Sequence, residues 1–296
     1  MALEHTNPEP GLPQRVVLIG AGGFVGQVLS AQLKAANTTV VAVSSKDVDL
    51  AADGADVALS SFLKEGDAVV VLAAITPDKG RGVVPFIKNI NIASNVAKAL
   101  NVSNPSHVIY LSSDAVYSMD EALVNEDTPA EATDLYGAMH LSRELIFKSE
   151  IKAPVAVLRP TLIFGAADTH NSYGPNRLRR MARDKGTITL FGGGEETRDH
   201  IVVNDVAALI VEVLSHRSKG LLNVATGNSV AFKDLAQQVA ALFDGDVEVQ
   251  LTERQNPITY RKYDVTALHT AFPKFAFTSL EAGLVEAHAG MLAGKE

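Results

Sequence analysis

The hydrophobic positions of the chain fall into short unbroken runs separated by longer stretches of mixed character. Residues 16–19 (Val-Val-Leu-Ile), 40–43 (Val-Val-Ala-Val), 68–74 (Ala-Val-Val-Val-Leu-Ala-Ala), 107–111 (His-Val-Ile-Tyr-Leu) and 155–158 (Val-Ala-Val-Leu) are continuous rather than alternating. Continuous runs of this length mark strands covered on both faces, as in a parallel sheet. Residues 25–36, 91–100 and 136–150 read as helices between them. Strand and helix therefore alternate, which predicts an α/β fold: a doubly wound parallel sheet with helices on both faces. After Pro160, which is expected to stop the last of these strands, the rhythm changes. A loop of small and polar residues at 165–174, a basic helix at 176–185 and a glycine-rich turn at 191–194 follow. Helices at 205–215 and 232–243 and a short strand at 247–249 complete a smaller region built from separate pieces.

Composition narrows the class. The chain has 296 residues, 47% hydrophobic and 20% charged, which suits an ordinary globular protein with a substantial core. Its net charge of −8 argues against a nucleic-acid footprint. It has no cysteine, which excludes disulfides, thiolate metal sites, iron–sulfur clusters and a cysteine nucleophile together. The eight histidines show no metal-ligand spacing, and no metal is expected. The longest apolar run, 68–75, is far below the roughly 20 residues of a membrane span. Residues 1–14 contain three prolines and no apolar core of a signal peptide. They are expected to form a disordered lead-in, and the cytoplasm is the expected compartment.

Chemistry enters with Gly20, Gly23 and Gly26, a G-x-x-G-x-x-G series directly after the first strand and at the start of a helix. Glycines are needed where backbone turns tightly and approaches a pyrophosphate, and the helix start offers free N–H groups and a positive dipole end. Phe24 and Val25 lie within this cradle. The fold is therefore expected to be Rossmann-type. The cofactor ribose is read at the end of the second strand, where an acid favours NAD and a cation favours NADP. Here Ser44, Ser45 and Lys46 stand first, with Asp47 close behind. Two hydroxyls and a lysine suit a phosphate, so the expected cofactor is NADP or NAD with a lean to NADP. The expected boundaries are a dinucleotide-binding domain over 15–165, to which segments near 198–226 return, and a substrate-binding subdomain from 166–197 and 227–296.

Further segments carry a resemblance. Asp49-Leu50 follows the second strand, and Leu72-Ala73-Ala74 ends the third. Asn91 lies in the next helix. Ser112-Ser113-Asp114-Ala115-Val116-Tyr117 ends the fourth strand, and Tyr136 opens a helix. Residues 158–165 read LRPTLIFG, and 198–207 read RDHIVVNDVA. Taken in order over 15–284, these segments resemble the extended short-chain dehydrogenase/reductase family, the NDP-sugar epimerases, dehydratases and reductases. Its corresponding motifs are HAA, SSxxVYG, YxxxK, LRPxxVYG and RDFIHVDDVA.

The resemblance implies an NAD(P)-dependent enzyme acting on a nucleotide-activated sugar, a 4-epimerase or a 4-keto-sugar reductase. It makes Tyr136 the catalytic acid/base and Ser113 a hydrogen-bond donor to the same substrate oxygen. It places Asp49, Leu50, Leu72, Ala73, Ala74, Tyr136 and the residue at position 140 on the cofactor. The family's 4,6-dehydratases carry an Asp-Glu pair where this chain has Asp114-Ala115, which disfavours that reaction and leaves Asp114 a substrate contact. Arg198 corresponds to the family's pyrophosphate arginine. Asn171 and Arg177 are further substrate candidates, with Asn176, Arg179 and Arg180 beside them. A homodimer is implied, through helices near 85–100 and 136–149.

One position departs from the family. The lysine of YxxxK is His140, one turn after Tyr136 on the same helix face. Three readings stand: histidine replaces lysine as a partly charged partner, giving an acidic optimum; tyrosine works alone; or the protein is a non-catalytic dinucleotide-binding sensor that retains the fold.

Overall fold

The computed structural model describes residues 2–80, 82–168, 171, 174–255 and 257–294. The first half runs β1 Arg15–Ile19, α1 Phe24–Ala35, β2 Thr39–Val43, α2 Ala55–Ser60, β3 Ala68–Val71, α3 Val83–Ser103 and β4 His107–Leu111. The short β5 Leu123–Val124, α4 Leu135–Glu150, β6 Val155–Pro160 and β7 Leu162–Phe164 follow. Next come α5 Pro175–Lys185, β8 Thr187–Phe191, β9 Thr197–Val202, α6 Val203–Ser215 and β10 Gly220–Val224. The chain ends with β11 Ser229–Ala231, α7 Phe232–Ala240, β12 Glu248–Thr252, β13 Lys262–Tyr263, α8 Thr266–Ala271 and α9 Leu280–Leu292.

The main sheet has the order β10-β6-β4-β3-β1-β2, and every pairing in it is parallel. It is the Rossmann-like α/β fold that the continuous apolar runs predict. Alternate residues of one strand serve opposite faces. Val17 and Ile19 join Ile92, Val96, Leu100 and Phe147 in one core, on the side of α3 and α4. Val16 and Leu18 join Leu29, Leu33, Val206, Ile210 and Leu268 in the other, on the side of α1, α6 and α8. Strand order reverses between β1 and β3, which opens a crevice at their carboxyl ends, the usual place for a ligand in such sheets.

The smaller subdomain has its own core. Leu178 of α5, Ile188 and Leu190 of β8, Phe232 and Leu235 of α7 and Leu284 of α9 pack together over it. A sheet of order β11-β9-β7 and the pair β12-β8 frame this core.

Four local expectations are corrected. Residues 2–14 are a packed edge segment and not a disordered lead-in. Ala2 bridges Leu221 and Glu4 bridges Lys219, Asn7 N and Gly11 N donate to His216 and Ser215 carbonyls, and His5 stacks on His216 at 4.2 Å. The Ala2 and Glu4 bridges cover the open edge at the start of β10, and the other bonds tie the segment to the end of α6. The third strand stops at Val71, because the Leu72 and Ala73 N–H groups both turn to the Ile19 carbonyl. The strand before Pro160 continues through it to pair with Val224; the missing N–H falls at its last residue. Finally, β9 belongs to the small sheet, so the return to the main sheet begins with α6.

Candidate functional site

A cavity of about 1500 Å³ occupies the crevice at the carboxyl ends of the main strands. That exceeds a typical small-ligand pocket and has room for two ligands side by side. At one end lies the glycine turn. Gly20 has φ +97°, and a Cβ there would stand 2.6 Å from the Ala73 nitrogen. A Cβ on Gly26 would stand 2.5 Å from the Gly20 carbonyl oxygen. The turn is thus closed against β3 and against its own helix. Gly23 caps α1 with no side chain, and the helix has no acid in its first turn. Its amide hydrogens and dipole are left for an anion.

The end of β2 borders the same cavity through Ser44, Ser45 and Lys46, followed by Asp49 and Leu50. Asp47 accepts from the Ser44 amide (2.8 Å) and hydroxyl (2.7 Å), and these bonds hold its carboxyl below the usual aspartate range. Asn95 of α3 holds the Leu50 and Ala52 carbonyls, fixing this rim from below. Leu72, Ala73 and Ala74 line the opposite wall.

At the other end, Ser113, Asp114, Tyr136 and His140 line the cavity together. Ser113 caps a short 3-10 turn, Asp114–Val116, accepting from the Ala115 amide. Asp134 caps α4 through the Gly137 amide (2.8 Å), so Tyr136 stands in the first turn. The Tyr136 phenol is pushed up to about 12. Burial is the main cause, with Asp114 and Asp134 adding to it, while Arg143 and a hydrogen bond with Ser113 pull the other way. His140 is buried at 2% exposure, edge-on to Tyr136 at 4.7 Å between ring centroids. Its Nδ1 lies 2.7 Å from the Tyr110 hydroxyl, and its Nε2 is a buried atom with no protein partner. Burial, then the nearby Arg143, holds the imidazole well below its ordinary value. The expectation of a partly charged histidine meets an environment that works against it: burial and Arg143 both favour the neutral imidazole.

The substrate candidates divide. Asn171 and Arg177 line the cavity; His170 and Ser172, which flank Asn171, lie outside the described residues. Asn176 also borders the cavity but is buried and donates to Asp168 (2.6 Å), while Arg179 is spent on the Ala287 carbonyl and on Asn176. Arg180 donates to the Asp168 carbonyl and to Asn171. Arg198 is not brought to the cavity wall. Its guanidinium donates to the Thr259 carbonyl (3.0 Å) and hydroxyl (2.5 Å) and pairs with Glu196 (3.3 Å), a carboxylate two residues away that claims it locally. Asp114 is also engaged: Tyr263 donates to it at 2.5 Å, and the buried Arg261 approaches at 3.7 Å. Neither Tyr263 nor Arg261 carries a sequence signal, since both arrive from far along the chain, at the short strand β13 and just before it. Tyr110 and Arg143 were likewise absent from the sequence-based candidates. Among the described residues no group of histidines and carboxylates is placed to hold a metal, and no helix is long and apolar enough to cross a membrane.

A glycine cradle at a helix start thus shares one cleft with a Ser–Tyr pair in a Rossmann-type fold. The chain belongs to the NAD dependent epimerase/dehydratase family, whose model matches residues 16–225. It is 26% identical to a dTDP-4-dehydrorhamnose reductase of Mycolicibacterium smegmatis, over 80% of this chain and 72% of that one. It is 29% identical to N-acetyl-alpha-D-glucosaminyl-diphospho-ditrans,octacis-undecaprenol 4-epimerase of Escherichia coli O157:H7, over 73% of this chain and 65% of that one. In fold it is similar to a GDP-L-fucose synthetase from Naegleria fowleri, with TM-score 0.87, 17% identity and 98% of each chain covered. It is also similar to MoeE5 in complex with UDP-glucose and NAD, with TM-score 0.80, 22% identity, and 95% and 100% of the two chains covered.

Proposed function

We propose that this protein catalyses reversible hydride transfer at C4 of a nucleotide-activated sugar, as a 4-epimerase or a 4-keto-sugar reductase, with Tyr136 as acid/base. The observation that carries this reading is the placement of Tyr136 and Ser113 on the same cavity as the Gly20–Gly26 cradle. The relatives point the same way: their names are those of nucleotide-sugar or sugar-diphospholipid reductases and 4-epimerases.

The residues fit a nicotinamide dinucleotide. The cradle leaves backbone amides for a pyrophosphate, and the unpartnered His140 Nε2 offers one hydrogen-bonding function to a ribose hydroxyl in either tautomer. When bound, the nicotinamide supplies the hydride acceptor or donor. The chain's own work is positional and protic. Ser113 orients the C4 oxygen, and Tyr136 takes the proton from that hydroxyl or returns it to the carbonyl oxygen. We read the cofactor as NADP in preference to NAD, on Ser45 and Lys46 at the rim. Asn171 and Arg177 are assigned to the substrate's diphosphate side. Ala115 supplies no carboxylate for proton removal at C5, which disfavours 4,6-dehydration. Exposed Val84 and Ile87 of α3 and Leu145 of α4 support a homodimer through these helices.

A non-catalytic dinucleotide-binding sensor is the second reading, favoured by the buried histidine that stands at position 140 where the resembling family has lysine. The two separate in one assay. UDP-, GDP- and dTDP-sugars and their 4-keto forms are incubated with the protein and NAD(P)(H). Product that disappears in Tyr136→Phe supports the enzyme. Cofactor binding without turnover on any of them rejects it.

A further inference from the structure

Arg143 stands two turns after Tyr136 and one turn after His140, on the same face of α4. None of its side chain is exposed. Helical side chains lean toward the N-terminus, and Arg143 does so: one guanidinium nitrogen lies 3.9 Å from Met139 Sδ, a turn back. The group then reaches across to the cofactor side of the cleft. It donates to the Ala73 carbonyl (2.6 Å) and to Asn89 Oδ1 (3.3 Å), and it lies 5.0 Å above the Tyr110 ring. Tyr110 is the residue that holds His140, and Ala73 forms part of the cavity wall.

No ion pair with a carboxylate is found for this guanidinium among the described residues. The adjacent Glu144 is claimed by Arg159, Ser112 and Lys148. Arg143 Nε is buried and has no partner. A buried cation without a counter-charge is costly, and an apolar side chain of similar length would fill the space at lower cost. Hydrogen bonds to Ala73 and Asn89 hold Arg143 in place but leave its charge unbalanced, and one turn earlier a buried histidine stands where the resembling family has lysine.

We propose that Arg143 is a positioning residue that supplies, from inside the α4–sheet interface, the fixed positive charge which stabilises the Tyr136 phenolate in place of the lysine at position 140. The inference rests on the reading of Tyr136 as acid/base. In the step it serves, the substrate O–H bond breaks, a Tyr136 O–H bond forms, and the reverse transfer restores both. Burial, and after it this guanidinium, favour the neutral form of His140, so that the lysine's role divides in two: charge from Arg143, hydrogen bonding from His140. Other groups act on the phenol too. Asp114 and Asp134 oppose its ionisation and the Ser113 hydroxyl favours it. Lys88, Lys79 and Asp78 line the cavity, and Glu144 acts on Tyr110. The buried Arg261 is paired with Asp114 and offsets part of that carboxylate's effect. With Asp114 and Asp134 opposing ionisation, loss of the Arg143 guanidinium is expected to be felt.

The test is the ionisation of Tyr136, followed by NMR of Cζ-labelled tyrosine in the full chain with saturating NADP⁺; Tyr136→Phe assigns the signal. Arg143→Met is expected to raise the midpoint by about one pH unit or more, and to move the rising limb of the pH–rate profile by the same amount. Arg143→Lys is expected to stay near wild type. An unchanged midpoint in Arg143→Met overturns the proposal. If that variant does not fold, the double variant His140→Lys with Arg143→Met returns a cation to the helix; its midpoint is expected near wild type, and a raised one overturns the proposal. Full turnover in Tyr136→Phe is a different result, which removes the acid/base reading itself.

Discussion

Gly137 packs so closely on Ala115 that a Cβ would lie 2.0 Å from the Ala115 carbonyl oxygen. That contact joins the first turn of α4 to the turn after β4, and so sets Tyr136 against Ser113. Gly137→Ala cannot be absorbed by a flexible side chain, because the obstacle is backbone. The helix start must shift, and misplacement by about 1 Å costs roughly a hundredfold in a positioned reaction. The expected outcome is a fall in kcat of about that size with NAD(P) binding nearly unchanged, since the glycine cradle is remote. Steady-state kinetics and cofactor titration check it; unaltered kcat would detach the Ala115 contact from the chemistry.

Glu144 is the anchor of the same helix. Its two oxygens receive Arg159 Nε (2.9 Å) and Nη2 (2.7 Å), and Ser112 adds a third bond (2.6 Å). Burial raises the Glu144 carboxyl, but Arg159, with Ser112 and Lys148, outweighs it and holds the group below the usual glutamate value. Glu144→Gln leaves Arg159 buried without a counter-charge and is expected to cost about 3 kcal/mol. The folded-state value is depressed, so this stability is present above about pH 4.5 and is lost as pH falls through the folded value. Urea melts should show the gap between variant and wild type closing below that pH. A gap that stays constant would assign the loss to packing.

The parts of this fold that were legible in the sequence are those encoded locally. β1 and the cradle are contiguous, and strands buried on both faces announce themselves as apolar runs. β10 did not: Gly220 and a buried Asn223, bonded to Tyr117, interrupt its pattern. The N-terminal segment was read as disordered because it docks through His5, Asn7 and Gly11, which form no apolar period. At the site, motif resemblance names Tyr136 and Ser113, which line one cavity, but the surroundings of His140 carry no motif signal. Burial, then Arg143 one turn on, favours the neutral imidazole, and Tyr110 holds its Nδ1 from another strand; neither the burial nor the Tyr110 bond shows in the motif. Arg198 shows the converse failure, a motif match whose side chain is drawn off by Glu196 and Thr259.

Cofactor choice is expected to respond at the end of β2. Asp47 ties the Ser44 hydroxyl and brings a full negative charge near the rim where Lys46 stands. Asp47→Asn removes the repulsion toward a 2′-phosphate, and Lys46→Glu removes the attraction. The ratio of NADP to NAD affinity is expected to rise about tenfold in the first and fall about tenfold in the second, with smaller changes at high salt. Titration calorimetry with both cofactors checks this. A ratio that moves in neither variant would place the 2′ end elsewhere.

His200 sits in the RDHIVVNDVA segment, where the resembling family has phenylalanine, and it is 4% exposed. Neither ring nitrogen has a partner, and the ring packs edge-on against Phe232 at 5.8 Å. Burial, helped by Arg198, lowers the imidazole to about 3. The unfolded chain takes up a proton near pH 6.5 while the folded one does not. Stability is therefore full above about pH 6.5 and declines by up to about 1.4 kcal/mol per unit as pH falls toward 3. His107, lowered to about 4 by burial against its bond to the Ser218 carbonyl, adds a similar slope over a narrower window. His200→Phe removes two unsatisfied nitrogens and is expected to gain about 1 kcal/mol at pH 7.5, near 3 °C in Tm. The gain is expected to widen at pH 5, leaving the His107 slope behind. Thermal melts at the two pH values decide it: a lower Tm at pH 7.5, or an unchanged difference at pH 5, would mean that His200 is protonated or solvated in the folded protein.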